Sequence, residues 1–286
     1  MVLASPRGFG AILQAPAFAA AGGWRARLAT LERTGRGRLG VALLDSADGR
    51  RFAWRGGERF TMCSTFKFLL AGAVLQQCDR GVLDLQRRVP IAVADLLGNA
   101  PISERNVGRH GLSIAELCEA AMIWSDNTAA NLLLPLVGGP AGLTGFVRTL
   151  GDEVTRSDRN EPALNESAPG DLRDTTTPLA MASNLRQLLL GDTLKVSSRR
   201  RLTDWMIDNR TGGARLRAGL PTGWKAGDKT GSDGRHITND IAILWPPDGC
   251  APLLLAVYLA EASGGDQERN AVLKAVADII TKRGAA

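Results

Sequence analysis

The strands that this sequence predicts lie near its two ends, with one short exception, and that placement limits the folds open to it. Residues 39–44 form a short apolar run, Asp48 and Gly49 make a turn, and residues 51–54 return as the second arm of a hairpin. Near the other end, 225–230, 238–245 and 253–260 read as strands, the last two joined through Pro246-Pro247-Asp248-Gly249. A helix is predicted at each extremity, over 24–33 with Trp24, Leu28 and Leu31 on one side, and over 267–282. The stretch between is helical in pattern apart from a short extended piece at 89–92. Helices are predicted over 64–78, from Ser113 with Glu116 as a capping box, over 127–134, 143–150 and 178–190, and over 197–206. Local hairpins at both ends pair most simply as one antiparallel sheet. The expectation is an α+β fold: an antiparallel sheet built from both chain ends with flanking helices, plus an all-helical lobe, and an active site at the seam. The α/β lobe would hold 23–60 and 208–286, and the helical lobe 61–207, including a long polar loop at 155–177. A loop of that length in a compact domain points to function.

The 286 residues suffice for one large domain or two lobes with a sizeable core. The net charge of +6 is spread along the chain, with no Lys/Arg block interleaved with aromatics, so no nucleic-acid partner is expected. Residues 1–22 carry Arg7 as their only charge, an apolar core from Phe9 to Phe18 and small residues at Ala17, Ala19 and Ala20. They resemble an export signal, which implies a periplasmic or secreted protein. No other stretch reaches the length of a membrane span. The four cysteines, Cys63, Cys78, Cys118 and Cys250, sit in or beside apolar contexts without metal-type spacing and read as buried thiols. The only histidines, His110 and His236, fall in turns and read as surface residues. No metal site and no cofactor are expected, and a serine nucleophile would take Lys or Glu as its base.

Such a serine is at hand. In residues 61–75, Ser64 stands where an apolar helix begins and Lys67 follows one turn later on nearly the same face. A lysine held in a partly desolvated site can be neutral and take a hydroxyl proton, while backbone N–H groups at a helix start suit an oxyanion. Further pieces have the spacing of a catalytic set. Ser125-Asp126-Asn127 is a polar turn between two apolar helices. Glu161 and Asn165, four apart in the long loop, could hold one water between them. Lys229-Thr230-Gly231 ends a strand with Ser232 next, so that a cation and hydroxyls could meet a substrate carboxylate where glycine permits close approach. Arg215 precedes that strand.

Ser-x-x-Lys, Ser-Asp-Asn and Lys-Thr-Gly together resemble the class A serine β-lactamases within the penicillin-binding-protein superfamily. The likeness runs from about Trp24 to the end. It takes in Arg159 and Asp174 as a loop-closing pair, Asp174-Thr175-Thr176 before Pro178, and Leu220-Pro221 with Trp224 before Lys229. The resemblance implies a metal-free, monomeric enzyme that hydrolyses β-lactam antibiotics. Ser64 would form the acyl-enzyme, with the N–H groups of Ser64 and Ser232 as oxyanion hole. Lys67, or Glu161 through a water, would take the Ser64 proton. Ser125 would protonate the departing lactam nitrogen. Lys229, Thr230 and Arg215 would face the substrate carboxylate, Asn127 would bind the side-chain amide, and Glu161 with Asn165 would activate the deacylating water. Glu161-Pro162 is expected to be cis.

Glu161 separates this reading from two alternatives, a D-Ala-D-Ala peptidase and a β-lactam-sensing acyl-acceptor domain, both of which stay blocked after acylation. Some members bridge the equivalent of Cys118 to a cysteine just past the catalytic lysine. Ala71 stands there, so that disulfide is not expected. Others pair the equivalent of Cys63 with a cysteine after Lys-Thr-Gly, where this chain has Asp233. Asn99 replaces the aromatic that many members carry at the cleft entrance.

Overall fold

The computed structural model describes residues 21–282. The export signal and its cleavage site, expected within 1–22, fall almost wholly outside them. Helix α1 (Ala21–Thr34) leads into β1 (Arg38–Asp45) and β2 (Arg51–Trp54). The chain then passes through β3 (Phe60–Thr61), α2 (Phe66–Asp79), β4 (Arg88–Val89), β5 (Leu112–Ser113), α3 (Ile114–Ile123), α4 (Asn127–Leu133) and α5 (Gly139–Thr149). β6 (Thr175–Thr176), α6 (Pro178–Leu189) and α7 (Val196–Ile207) follow, and then β7 (Lys225–Ser232), β8 (Thr238–Trp245), β9 (Leu253–Ala260) and α8 (Asp266–Thr281).

The main sheet has the order β2-β1-β9-β8-β7 and every pairing in it is antiparallel. β1 and β9 join the two chain ends, from Arg38 opposite Ala260 to Asp45 opposite Leu253. Both sheet faces are covered, so these strands are nearly continuous apolar runs. Leu39, Val41, Leu43, Leu255 and Val257 pack with Trp24, Leu28, Val272, Leu273 and Val276 of α1 and α8. Ala42, Leu44, Leu254, Ala256 and Tyr258 belong to a second core with α2, α3 and α6. α2 is buried on all sides, as its unbroken apolar sequence requires.

The predicted elements are present, with shifted ends. α5 starts at Gly139 rather than 143, and β7 continues to Ser232 rather than stopping at Thr230. Ser64 lies in a 3-10 turn, Cys63–Thr65, ahead of α2 instead of on the helix itself. Cys63 and Cys118 are buried thiols, but Cys78 and Cys250 are only half-buried, a correction to the expectation for those two. His110 and His236 are exposed.

Candidate active site

The turn that carries Ser64 is held from three sides. Cys63 adopts a left-handed conformation, φ 45°, with its side chain in the core. Asn239 of β8 donates to the Thr61 and Met62 carbonyls at 3.0 and 3.1 Å. β7 lies against the turn so closely that a Cβ on Gly231 would fall 3.0 Å from the Thr65 nitrogen, 3.1 Å from the Ser64 nitrogen and 2.7 Å from the Met62 oxygen. The glycine of Lys-Thr-Gly is what lets Ser232 follow on beside Ser64.

Lys67 is fully buried. Its Nζ donates to the Ser125 carbonyl at 2.8 Å and to Asn127 Oδ1 at 2.6 Å, and lies 3.0 Å from Ser64 Oγ and 3.2 Å from Glu161 Oε1. The first two partners carry no hydrogen, and Asn127 is oriented by its Nδ2 donating to the Gly98 carbonyl at 2.8 Å. They therefore claim two N–H groups, and the remaining position of the nitrogen faces Ser64 and Glu161. A neutral amine would turn its lone pair there, an ammonium its third proton. Burial lowers the Lys67 pKa, and the Glu161 charge partly offsets this. Lys229 is also fully buried and donates to Ser125 Oγ at 3.0 Å and to the Thr230 carbonyl at 2.9 Å. Burial first, then the charge of Lys67, push its pKa well below the usual lysine range.

Ser125 has φ 58°, and the turn around it hangs on Asp126. That buried carboxylate accepts from the Ile102, Ser103 and Ala129 N–H groups and from Ser103 Oγ, capping α4 and anchoring the segment before it. Glu161 Oε1 accepts from Ser64 Oγ at 3.4 Å, and Oε2 from Asn165 Nδ2 at 2.6 Å. The Glu161 main chain is gripped at both ends by Asn131, whose Oδ1 accepts the Glu161 N–H at 3.0 Å and whose Nδ2 donates to its carbonyl at 2.9 Å. The Glu161-Pro162 bond is cis. Asp174 closes the loop, accepting from the Asp158 and Arg159 N–H groups and from Arg159 Nε at 2.6 Å.

That carboxylate is nearly inaccessible, so Asp174→Ala leaves two N–H groups and a largely buried guanidinium without their partner. Its expected cost is about 3 kcal/mol of unfolding free energy, read from urea denaturation. A loss below about 0.5 kcal/mol would show that the pair does not close the loop.

These groups line a cleft of about 990 Å³ together with Asn99, Arg215 and residues 230–236. It thus brings together Ser64, Ser125, Asn127, Asn165, Thr230, Ser232 and Arg215, with Lys67, Glu161 and Lys229 bonded directly behind. Two of these residues also make bonds outside the cleft. The Ser232 hydroxyl donates to the Ile237 carbonyl at 2.9 Å, inside its own turn. Arg215 donates to the Gly231 and Asn239 carbonyls at 3.0 and 2.7 Å and to Asn270 at 2.9 Å, so it braces β7 as well as bordering the cleft. Asp233 also borders the cleft. Its Oδ1 accepts the N–H groups of Arg235, His236 and Ile237 and folds the rim of the cleft. Sequence reasoning missed Asn131 and Asn239. The polar run Thr238-Asn239-Asp240 opening an otherwise apolar strand was the available signal for the second. Among the described residues no cluster of three or more His, Cys, Asp or Glu is placed to hold a metal ion.

Comparison with known proteins agrees with this geometry. A sequence model of the β-lactamase enzyme family matches residues 24–283. β-Lactamase L2 of Stenotrophomonas maltophilia is 52% identical over 89% of this chain and 84% of its own length. β-Lactamase CTX-M-8 of Citrobacter amalonaticus is 47% identical over 93% and 91%. The crystal structure of a β-lactamase from Xanthomonas campestris superposes with a TM-score of 0.90 at 58% identity, covering 92% of this chain and 97% of that one. An ancestral class A β-lactamase gives 0.88 at 57%, covering 90% and 97%. With a Ser–Lys–Glu cluster at the cleft of this fold, and likeness to such relatives over nearly its whole length, the chain belongs to the β-lactamase enzyme family, as a serine β-lactamase of class A.

Proposed function

We propose that Ser64 opens the β-lactam ring as a nucleophile and that Glu161 returns the enzyme by directing water at the resulting ester. The observation that carries this is the meeting of Ser64 Oγ, Lys67 Nζ and Glu161 Oε1 within 3.4 Å of one another. Two proton routes fit. Neutral Lys67 takes the Ser64 proton through its third position, or Glu161 takes it through a water. As Oγ bonds to the lactam carbon, the oxyanion faces the N–H groups of Ser64 and Ser232. The C–N bond then breaks, and Ser125, held by Lys229, gives its proton to the leaving nitrogen and regains one, the proton first taken from Ser64. Lys229, Thr230 and Arg215 form the positive, hydroxylated wall for the substrate carboxylate, and Asn127 meets the side-chain amide. In the second half Glu161, steadied by Asn165, removes a proton from water as it attacks the ester carbon; the bond from that carbon to Oγ then breaks, and Ser64 leaves carrying the proton that Glu161 took.

The same reading makes the protein an exported monomer, periplasmic or secreted, with a β-lactam as its partner. No described helix alone is long and apolar enough to cross a membrane. Mass spectrometry of rapidly quenched mixtures tests the covalent step. An adduct equal in mass to one intact benzylpenicillin should form on the peptide carrying Ser64 and decay with turnover. An adduct on another residue would contradict the proposal.

A further inference from the structure

Behind Thr230 a chain of hydrogen bonds runs away from the cleft, and its direction follows from counting hydrogens. Asn209 is buried, and its Nδ2 donates to Asp228 Oδ2 at 2.7 Å. Its Oδ1 accepts the backbone N–H of Thr211 at 3.0 Å. A main-chain nitrogen can only donate, so two independent partners fix which end of this amide is oxygen. Thr211 Oγ1 lies 2.7 Å from that same Oδ1. The hydrogen between them belongs to Thr211, because Oδ1 has none. Thr211 Oγ1 is also in hydrogen-bond contact with Thr230 Oγ1. Its single hydrogen being committed to Asn209, this contact is made by the hydrogen of Thr230. Every donor in the row points toward the buried Asp228 carboxylate, which also accepts from Arg217, so the bonds reinforce one another. Gly212 allows this approach, since a Cβ there would overlap Asp228 Oδ2 at 1.9 Å.

We propose that Thr211 is a positioning residue that competes with the substrate carboxylate for the Thr230 hydroxyl proton. In the resting enzyme Thr230 turns lone pairs, not a hydrogen, toward the cleft. A carboxylate arriving beside Lys229 gains a hydrogen bond from Thr230 only when that O–H rotates away from Thr211. Thr211 is exposed and then turns to water. Affinity for anionic substrates is thereby set below what the cleft could deliver. The inference rests on the reading that the carboxylate docks at Thr230.

Thr211→Val keeps the shape and removes the competing oxygen. Thr211→Ser keeps the oxygen and is the conservative control. With benzylpenicillin, KM of the Val variant should fall about two- to tenfold, the range of one net hydrogen bond, with the change in KM rather than kcat, while the Ser variant stays near the parent. A KM that is unchanged or higher in Thr211→Val, or a Ser variant that behaves as the Val one, overturns the proposal. Neutron diffraction of the deuterated, ligand-free protein reads the same point without turnover. A deuteron between the two Oγ1 atoms and bonded to Thr230 supports the relay, and one directed into the cleft overturns it. Failure of the parent enzyme to hydrolyse benzylpenicillin would instead count against the docking reading, which the neutron result does not depend on.

Discussion

Glu161→Gln should give an enzyme that reacts with benzylpenicillin and then remains acylated. Oε1 of Glu161 sits 3.4 Å from Ser64 Oγ, and Oε2 is fixed by Asn165 and by the Asn131 grip on its main chain. A glutamine fits this cradle but cannot take a proton from water. Removing the general base should slow deacylation by about 10²–10⁴-fold. Acylation is expected to persist, because the Glu161 charge is what raises the Lys67 pKa against the effect of burial. Without it Lys67 is neutral more of the time, and its free position faces Ser64. Intact-protein mass spectrometry after mixing should show one stable adduct per molecule. Rapid turnover without accumulation would remove Glu161 from the deacylation step. Failure to acylate at all would assign the first proton transfer to Glu161 rather than Lys67.

Ser64→Ala should abolish covalent labelling by penicillin and lower turnover by roughly 10⁴–10⁶-fold, the cost of deleting a nucleophile from a group that acts as a unit. The fold should survive. The hydroxyl is half-buried, and the turn is held by the Cys63 side chain, by Asn239 and by the close packing of Gly231 rather than by Ser64 itself. Labelling that persists in this variant, mapped by peptide digestion, would place the nucleophile elsewhere.

Much of this was legible in the sequence for a physical reason. β1, β8 and β9 are buried on both faces, so their apolar runs stand out, and hairpin turns such as Asp48-Gly49 and Pro246 to Gly249 mark where strands end. β7 was cut short at Thr230 in the sequence reading because Gly231 and Ser232 look like the start of a turn, and only tertiary contacts make them strand. Ser64, Lys67, Ser125 and Glu161 were found through their motifs. The residues that hold them were not, because they act across long sequence separations on backbone groups. Asn131 grips Glu161, Asn239 grips Thr61 and Met62, and Asn209 orients Thr211, and none of the three belongs to a short motif. Ser232 and Asp233 show the opposite limit. Both line the cleft, but whether each side chain faces it or its own turn depends on N–H directions that sequence does not carry.

The most direct test of the central claim is steady-state hydrolysis of benzylpenicillin by the purified protein, with chelator present, followed over many equivalents. Continued linear turnover is the expected result. A single burst of one equivalent followed by silence would contradict it, since it would mean that Glu161 does not release the Ser64 ester.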